Sequence, residues 1–205
     1  STEISDQSRF LFRRNIVERV RHLTPFLMLD DTPYLTVTSD GTYWIMDAYT
    51  TSTAYPAAKP QELRGRSFNY IRNSVKIVVD AYHGSIDLYI YDKSDPVIAA
   101  YDDIYPGLFK SREELPEALE SHIRYPRDFF DLQMQVYAVY HQSEPHVFYQ
   151  QEDRWTFADA ISKNVILPEQ PYYVTLDLIE SGKMEFLLLH PMFPKKRDNL
   201  RAVAV

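Results

Sequence analysis

The sequence predicts an α+β fold: a mainly antiparallel sheet built from three hairpins, with a helical segment inserted between the second and third hairpins. Three observations lead there. Three stretches rich in β-branched and aromatic residues each contain a glycine-bearing dipeptide at their centre, Asp40-Gly41, His83-Gly84 and Ser181-Gly182. Between the second and third of these the apolar period lengthens from two residues to between three and four. Glycine is scarce, with 5 residues against 13 prolines, so the turns are specific and flexible linkers are not expected.

Each element has its own justification. Residues 9–24, RFLFRRNIVERVRHLT, set Phe12, Ile16, Val20 and Leu23 at helical spacing, and Pro25 ends the run. The first hairpin, 33–49, turns at Asp40-Gly41. The second, 75–92, turns at His83-Gly84; a two-residue loop there sets Ala81 against Ile86, Val79 against Leu88 and Ile77 against Ile90. The third, 172–189, turns at Ser181-Gly182 and brings Glu180 opposite Lys183.

The inserted helices follow the same logic. Residues 95–104 open with Asp95-Pro96, a cap followed by proline at the first helical position. In 111–123, Ser111 and Glu114 form a capping box, or the helix starts later at Pro116; Leu115, Leu119 and Ile123 share a face. After Pro126, residues 127–142 carry a stripe of Phe129, Leu132, Val136 and Tyr140. The stretch 143–171, with Pro145, Pro168 and Pro171, reads as a long irregular connection. The closing RAVAV alternates like a strand. No composition break marks a second domain, so residues 1–205 read as a single soluble α+β domain, or most of one, truncated at the C-terminus.

Composition narrows the function classes. The formal net charge is −7, and the basic clusters (Arg13-Arg14 with Arg19 and Arg21, then Lys195-Lys196-Arg197) are short, so no nucleic-acid partner is expected. The absence of cysteine excludes disulfides, thiolate metal sites and a cysteine nucleophile. No apolar run approaches the roughly 20 residues of a membrane helix. Neither a signal peptide nor an initiating methionine is present, which suggests a piece of a longer chain.

Candidate chemistry is sparse. The tripeptide Asp-Ala-Tyr occurs twice, at 47–49 and 80–82, and reads as punctuation at strand ends, the first copy lying at the outgoing end of its hairpin. The register of the second hairpin places Asp80 directly opposite Asp87. Like charges so placed repel. Three readings stay open: a pair pointing into water, a pair holding a cation, or one carboxyl with a raised pKa that carries a proton. Asp80 and Asp87 are therefore the metal candidates, and no cofactor is expected. His141, Glu144 and His146 in HQSEPH have the wrong spacing for a helical zinc motif, because Pro145 interrupts them. There is no G-x-S-x-G elbow, P-loop or dinucleotide fingerprint.

The segments FLFRRNIVERV, YWIMDAYTTSTAYP, NYIRNSVKIVVDAYHG, YPGLFK, HIRYPRDFFDLQMQVYAVYH, VFYQQEDRW and EFLLLHPMFPKKRDNLRA occur in this order. Together they resemble the soluble region of the UPF0182 family of bacterial integral membrane proteins, over nearly the whole chain. AAKPQELRGRS, after the first hairpin, departs from the family pattern. The resemblance implies a large extracytoplasmic region attached through transmembrane helices absent from this chain, and it supplies no catalytic residue to carry over. The expected function is thus a non-catalytic extracytoplasmic module that binds an envelope component, a peptide or a partner protein. The alternatives are an envelope hydrolase working through carboxylates and a scaffold for assembly of the membrane portion.

Overall fold

A computed structural model of the chain describes residues 12–150, 154–157, 159–162, 165–177, 182–194 and 202–205. The fold is α+β, and packing divides it into two units, residues 1–124 and 125–205.

In the first unit, helix α1 (Ile16–Leu23) precedes strands β1 (Met28–Leu29), β2 (Tyr34–Thr38) and β3 (Gly41–Ser52). A small ribbon follows, β4 (Gln61–Leu63) with β5 (Arg66–Phe68), and then β6 (Tyr70–Asp80) and β7 (Ile86–Ile90). Helix α2 (Pro96–Ile104), strand β8 (Lys110–Ser111), a 3-10 turn at Arg112–Glu114 and helix α3 (Glu117–Glu120) complete it. The main sheet has six strands. Its central path runs β1-β3-β6-β7-β8, and β2 shares the edge of β3 with β1. All pairings are antiparallel except β7 with β8.

Alternation along β3 and β6 sends side chains to two buried faces. Met46, Ala48, Val75, Ile77 and Val79 pack with Val20 of α1 and Ile98 of α2. Ile45, Val78 and Tyr89 pack on the other face under Leu115 and Leu119, with Ile123 beside them. The helix expected over 111–123 is instead a 3-10 turn and the short α3, so Leu115 and Ile123 reach this core from outside any helix. Each valine, leucine, isoleucine or methionine side chain so removed from water contributes about 1.5–3 kcal/mol. Local signals work where they are strong. Asp95 caps α2 with Pro96 next to it, accepting from the amide of Val97. Glu114 reaches back 2.8 Å to the Ser111 amide. Helix α1 begins later than its apolar spacing suggests: Asn15 caps it by accepting from the Glu18 amide at 3.2 Å, and Phe12 lies outside it, 80% exposed.

The hairpin registers differ from expectation in one consistent way. The first hairpin turns at Ser39-Asp40, with Thr38 paired to Gly41. In the second, Ile77 faces Leu88, Val79 faces Ile86 and Asp87 faces Val78. The Asp80 amide bonds the Ser85 carbonyl at 3.0 Å, so the loop is Ala81-Tyr82-His83-Gly84. In the third, Leu176 faces Glu185, where a loop at Ser181-Gly182 would have set it against Leu187. Each register is displaced by two residues, which leaves every side chain on its expected face. Glu180, expected opposite Lys183, lies outside the described residues.

The second unit holds α4 (Arg127–Tyr140), α5 (Pro145–Gln150) and strands β9 (Trp155–Phe157), β10 (Asp159–Ser162), β11 (Val165–Pro168), β12 (Tyr172–Leu176), β13 (Glu185–Pro194) and β14 (Ala202–Ala204). β13 pairs with β12, β14 and β9, while β10 and β11 form a separate hairpin. The stretch 143–171 is therefore structured, with a short helix and three strands where its prolines suggested irregular chain. Those prolines occupy permitted places, the first residue of a helix for Pro145 and the end of a strand for Pro168. The inward face of α4 also differs: Phe130, Leu132 and Ala138 are buried, whereas Tyr140 is exposed.

Candidate functional site

Two buried polar nodes lie on the central strands of the first unit. In the first, Asp47 of β3 sits directly opposite Lys76 of β6, and the Lys76 ammonium donates to Asp47 Oδ1. The side chains are only 5% and 1% exposed. Lys76 Nζ also lies 3.4 Å from the Arg124 carbonyl oxygen and 5.0 Å from the centre of the Tyr91 ring. The Arg112 guanidinium is 4.1 Å from that same ring and is bound to Glu120. Burial pushes the Asp47 carboxyl above its ordinary range, and Lys76 opposes that push without cancelling it.

The network continues through Asp30, whose amide bonds the Asp47 carbonyl at 2.9 Å. Asp30 Oδ2 accepts from the Tyr49 hydroxyl at 2.5 Å, and Oδ1 accepts from the Thr32 amide and hydroxyl at 2.8 and 2.5 Å. Burial, aided by the Asp30 charge, holds the Tyr49 hydroxyl well above the usual phenol range.

The second node is Asp95. Its Oδ2 accepts from Thr50 and Ser74 at 2.5 Å each, and its Oδ1 from Tyr70 at 2.7 Å and the Val97 amide at 2.9 Å. Burial alone would raise this carboxyl, but the donors from Ser74, Thr50, Tyr70 and Val97 outweigh it, and the pKa is lowered. Every lone-pair direction of a carboxylate is spoken for.

The sequence-derived candidates lie elsewhere and do not converge. Asp80 ends β6 and folds back on its own loop, accepting from the amides of Tyr82 and His83 at 2.7 and 2.6 Å and contacting His83 Nδ1 at 3.1 Å. The His83 amide, followed by its ring, holds the Asp80 carboxyl below its usual range. Asp87 pairs with Lys110 of β8 at 2.7 Å. The Asp80–Asp87 opposition is thus a product of the two-residue register difference. Asp87→Asn should accordingly change stability by less than about 1 kcal/mol between pH 5 and 8 and leave any response to calcium unaltered, as urea unfolding with and without calcium will show.

In HQSEPH, His141 Nδ1 bonds the Tyr137 carbonyl at 3.0 Å, and His146 Nε2 lies 3.0 Å from Gln150 Nε2. Among the described residues no group of three or more His, Asp or Glu is arranged to hold a metal ion. The two Asp-Ala-Tyr copies prove unequal. The second is loop punctuation. The first lies inside β3 with all three residues buried, so its reading as a strand end is corrected: β3 continues to Ser52. Lys76 was missed by pattern reading. Its signal was present as one charge inside each of two apolar runs, WIMDAY and SVKIVV, with opposite signs.

Two clefts open among the described residues of the first unit. One, of about 250 Å³, is lined by Ile90, Ile98, Phe109, Lys93, Asp102 and Lys110 among others. The other, along α1, is lined by Phe12, Arg13, Arg19, His22, Leu23 and Ile86. Neither includes Asp47, Lys76 or Asp95.

A family model described as an uncharacterised protein family, UPF0182, matches residues 1–205. The chain belongs to the UPF0182 family. It is 54% identical over 215 residues to a UPF0182 protein of Nitrosococcus oceani and 52% identical over 206 residues to one of Syntrophobacter fumaroxidans. A UPF0182 protein of Methylococcus capsulatus is 45% identical over 217 residues. Each alignment covers the whole of this chain, which spans about a quarter of the length of these relatives, 25%, 24% and 24%. No solved structure matches. The motifs that carried the family resemblance are thus confirmed as UPF0182 sequence, and two of them supply the Asp47–Lys76 pair. No helix among the described residues is long and apolar enough to cross a membrane.

Proposed function

We propose that this UPF0182 segment is a non-catalytic module on the extracytoplasmic side of a membrane protein, where it binds an envelope component, a peptide or a partner protein. One observation carries the reading. Asp47 and Lys76 of the strand motifs are buried and bound to each other, and Asp95 is bound to hydroxyls and an amide, which suits a rigid scaffold; none of the three lines a cleft described above. A catalytic carboxylate needs a proton or a substrate within reach; Asp95 has four internal donors instead. Exposed apolar and aromatic groups, among them Leu35, Val37, Tyr55, Tyr82 and Ile104, supply contact area on the outside.

The test uses the full-length protein in intact cells. A Tyr82→Cys variant, substituted at an exposed position, should react with a membrane-impermeant maleimide. Cross-linking in native membranes, read by mass spectrometry, should then return a stoichiometric envelope component or protein. Turnover of an envelope substrate that is lost in Asp80→Asn or Asp87→Asn would replace this reading with the hydrolase.

A further inference from the structure

β1 and β2 together form one edge of the six-stranded sheet, and among the described residues no strand pairs with the outer side of β2. Natural edge strands are guarded by charges, prolines or bulges. The five residues of β2, Tyr-Leu-Thr-Val-Thr, carry none of these, and Leu35 and Val37 stand 47% and 69% exposed.

The backbone pattern says which groups face outward. The Ala81 amide bonds the Thr42 carbonyl, so the backbone of Thr42 faces β6 and that of its neighbours Gly41 and Tyr43 faces β2. The alternation then directs their partners Thr38 and Thr36, and Tyr34 beyond them, to β3. The N–H and C=O groups of Leu35 and Val37 point away from the sheet. Their side chains share one face and continue an apolar row that crosses four strands, Ile86–Val79–Trp44–Leu35, and runs off the edge.

We propose that β2 pairs antiparallel with β2 of a second copy of this chain, about a two-fold axis at Thr36. In that register Leu35 lies opposite the partner's Val37 and Val37 opposite the partner's Leu35. These are the residues whose backbone groups are free to bond, giving two hydrogen-bonded pairs with two bonds in each. Both cross-strand contacts are apolar on apolar, and the symmetry doubles each gain. The flanking Asp40 falls opposite the partner's Thr32, so no like charges meet. Pro33, which lacks an N–H, limits the pairing to the length of β2. An unrelated extended segment would satisfy the backbone but has no reason to match both side chains. The inference goes beyond the module reading and does not depend on it, because it rests on the edge alone.

The test uses the cysteine-free background of the chain. Leu35→Cys and Val37→Cys variants are made separately, mixed and oxidised, both in the 205-residue chain and in the longer protein that carries it. The expected product is a heterodisulfide joining one L35C chain to one V37C chain, in excess over either homodisulfide and over a Lys59→Cys control. By sedimentation, the wild type should form a weak dimer at high micromolar concentration, as befits a small interface. Leu35→Lys/Val37→Lys should weaken it at least about ten-fold while leaving the melting temperature unchanged. A wild type that stays monomeric, an unaffected lysine variant, or homodisulfides at parity with the heterodisulfide would each overturn the proposal. Protection of both introduced thiols by another segment of the longer protein would do so too.

Discussion

Lys76→Met is expected to cost about 3–5 kcal/mol of folding stability, because it leaves the buried Asp47 carboxylate without its counter-charge. The two side chains face each other across β3 and β6, and water reaches neither. Asp47 cannot escape by rotating outward, since its strand is covered on both faces. Removing both charges is a different matter. In Asp47→Leu/Lys76→Met the desolvation cost of both ions disappears with their attraction, so the double variant should recover most of the loss and come out close to wild type or above it. Urea unfolding of the four proteins, read as a double-mutant cycle, gives the coupling. A single substitution costing under about 1 kcal/mol would mean that the pair behaves as a surface ion pair.

Asp95→Ala should cost about 3 kcal/mol. It removes the cap of α2, worth about 1 kcal/mol, and leaves the buried hydroxyls of Thr50 and Ser74 without their acceptor at about 1 kcal/mol or more each. The pH dependence has a definite sign. The folded carboxyl has a lowered pKa, so its protection is fully present above the unfolded value of about 4 and is lost as pH falls through the folded value. Below both, the neutral acid accepts less strongly and the contribution vanishes. The stability difference between wild type and Asp95→Asn should therefore be constant from pH 5 to 7 and shrink below pH 4. Burial raises Asp47 instead, so its own contribution runs the other way, favouring the fold at low pH and declining as pH rises through its folded value. A wild-type-minus-Asp95→Asn difference that is flat from pH 2 to 7 would mean that Asp95 is not the charged node described.

Much of the fold was legible. The cap at Asp95-Pro96, the capping box of Ser111 with Glu114, and the strand character of three Gly-centred segments all appear where local chemistry requires them, whereas Leu115, Leu119 and Ile123 share a core without sharing a helix. The site was less so. Asp80 and Asp87 drew notice because the expected register set them face to face, and that repulsion was itself the sign of a misplaced register. Apolar alternation has a period of two, so a slip of two residues moves no side chain to the wrong face and leaves the pattern satisfied. What decides between the registers is loop chemistry: Asp80 accepting from the amides of Tyr82 and His83, and Gly84 taking a φ of 72° at the end of a four-residue loop.

The amino-acid sequence by itself determined the α+β class, the faces of the strands, the caps at Asp95 and Ser111 and the family, because these depend on nearest neighbours, on alternation or on long shared motifs. Only the tertiary structure decided which residue sits opposite which. Pairing is a contact between segments distant in the chain, and no local periodicity encodes it. On that rest the meeting of Asp47 with Lys76, the parting of Asp80 from Asp87, and the collection of Thr50, Ser74 and Tyr70 around Asp95.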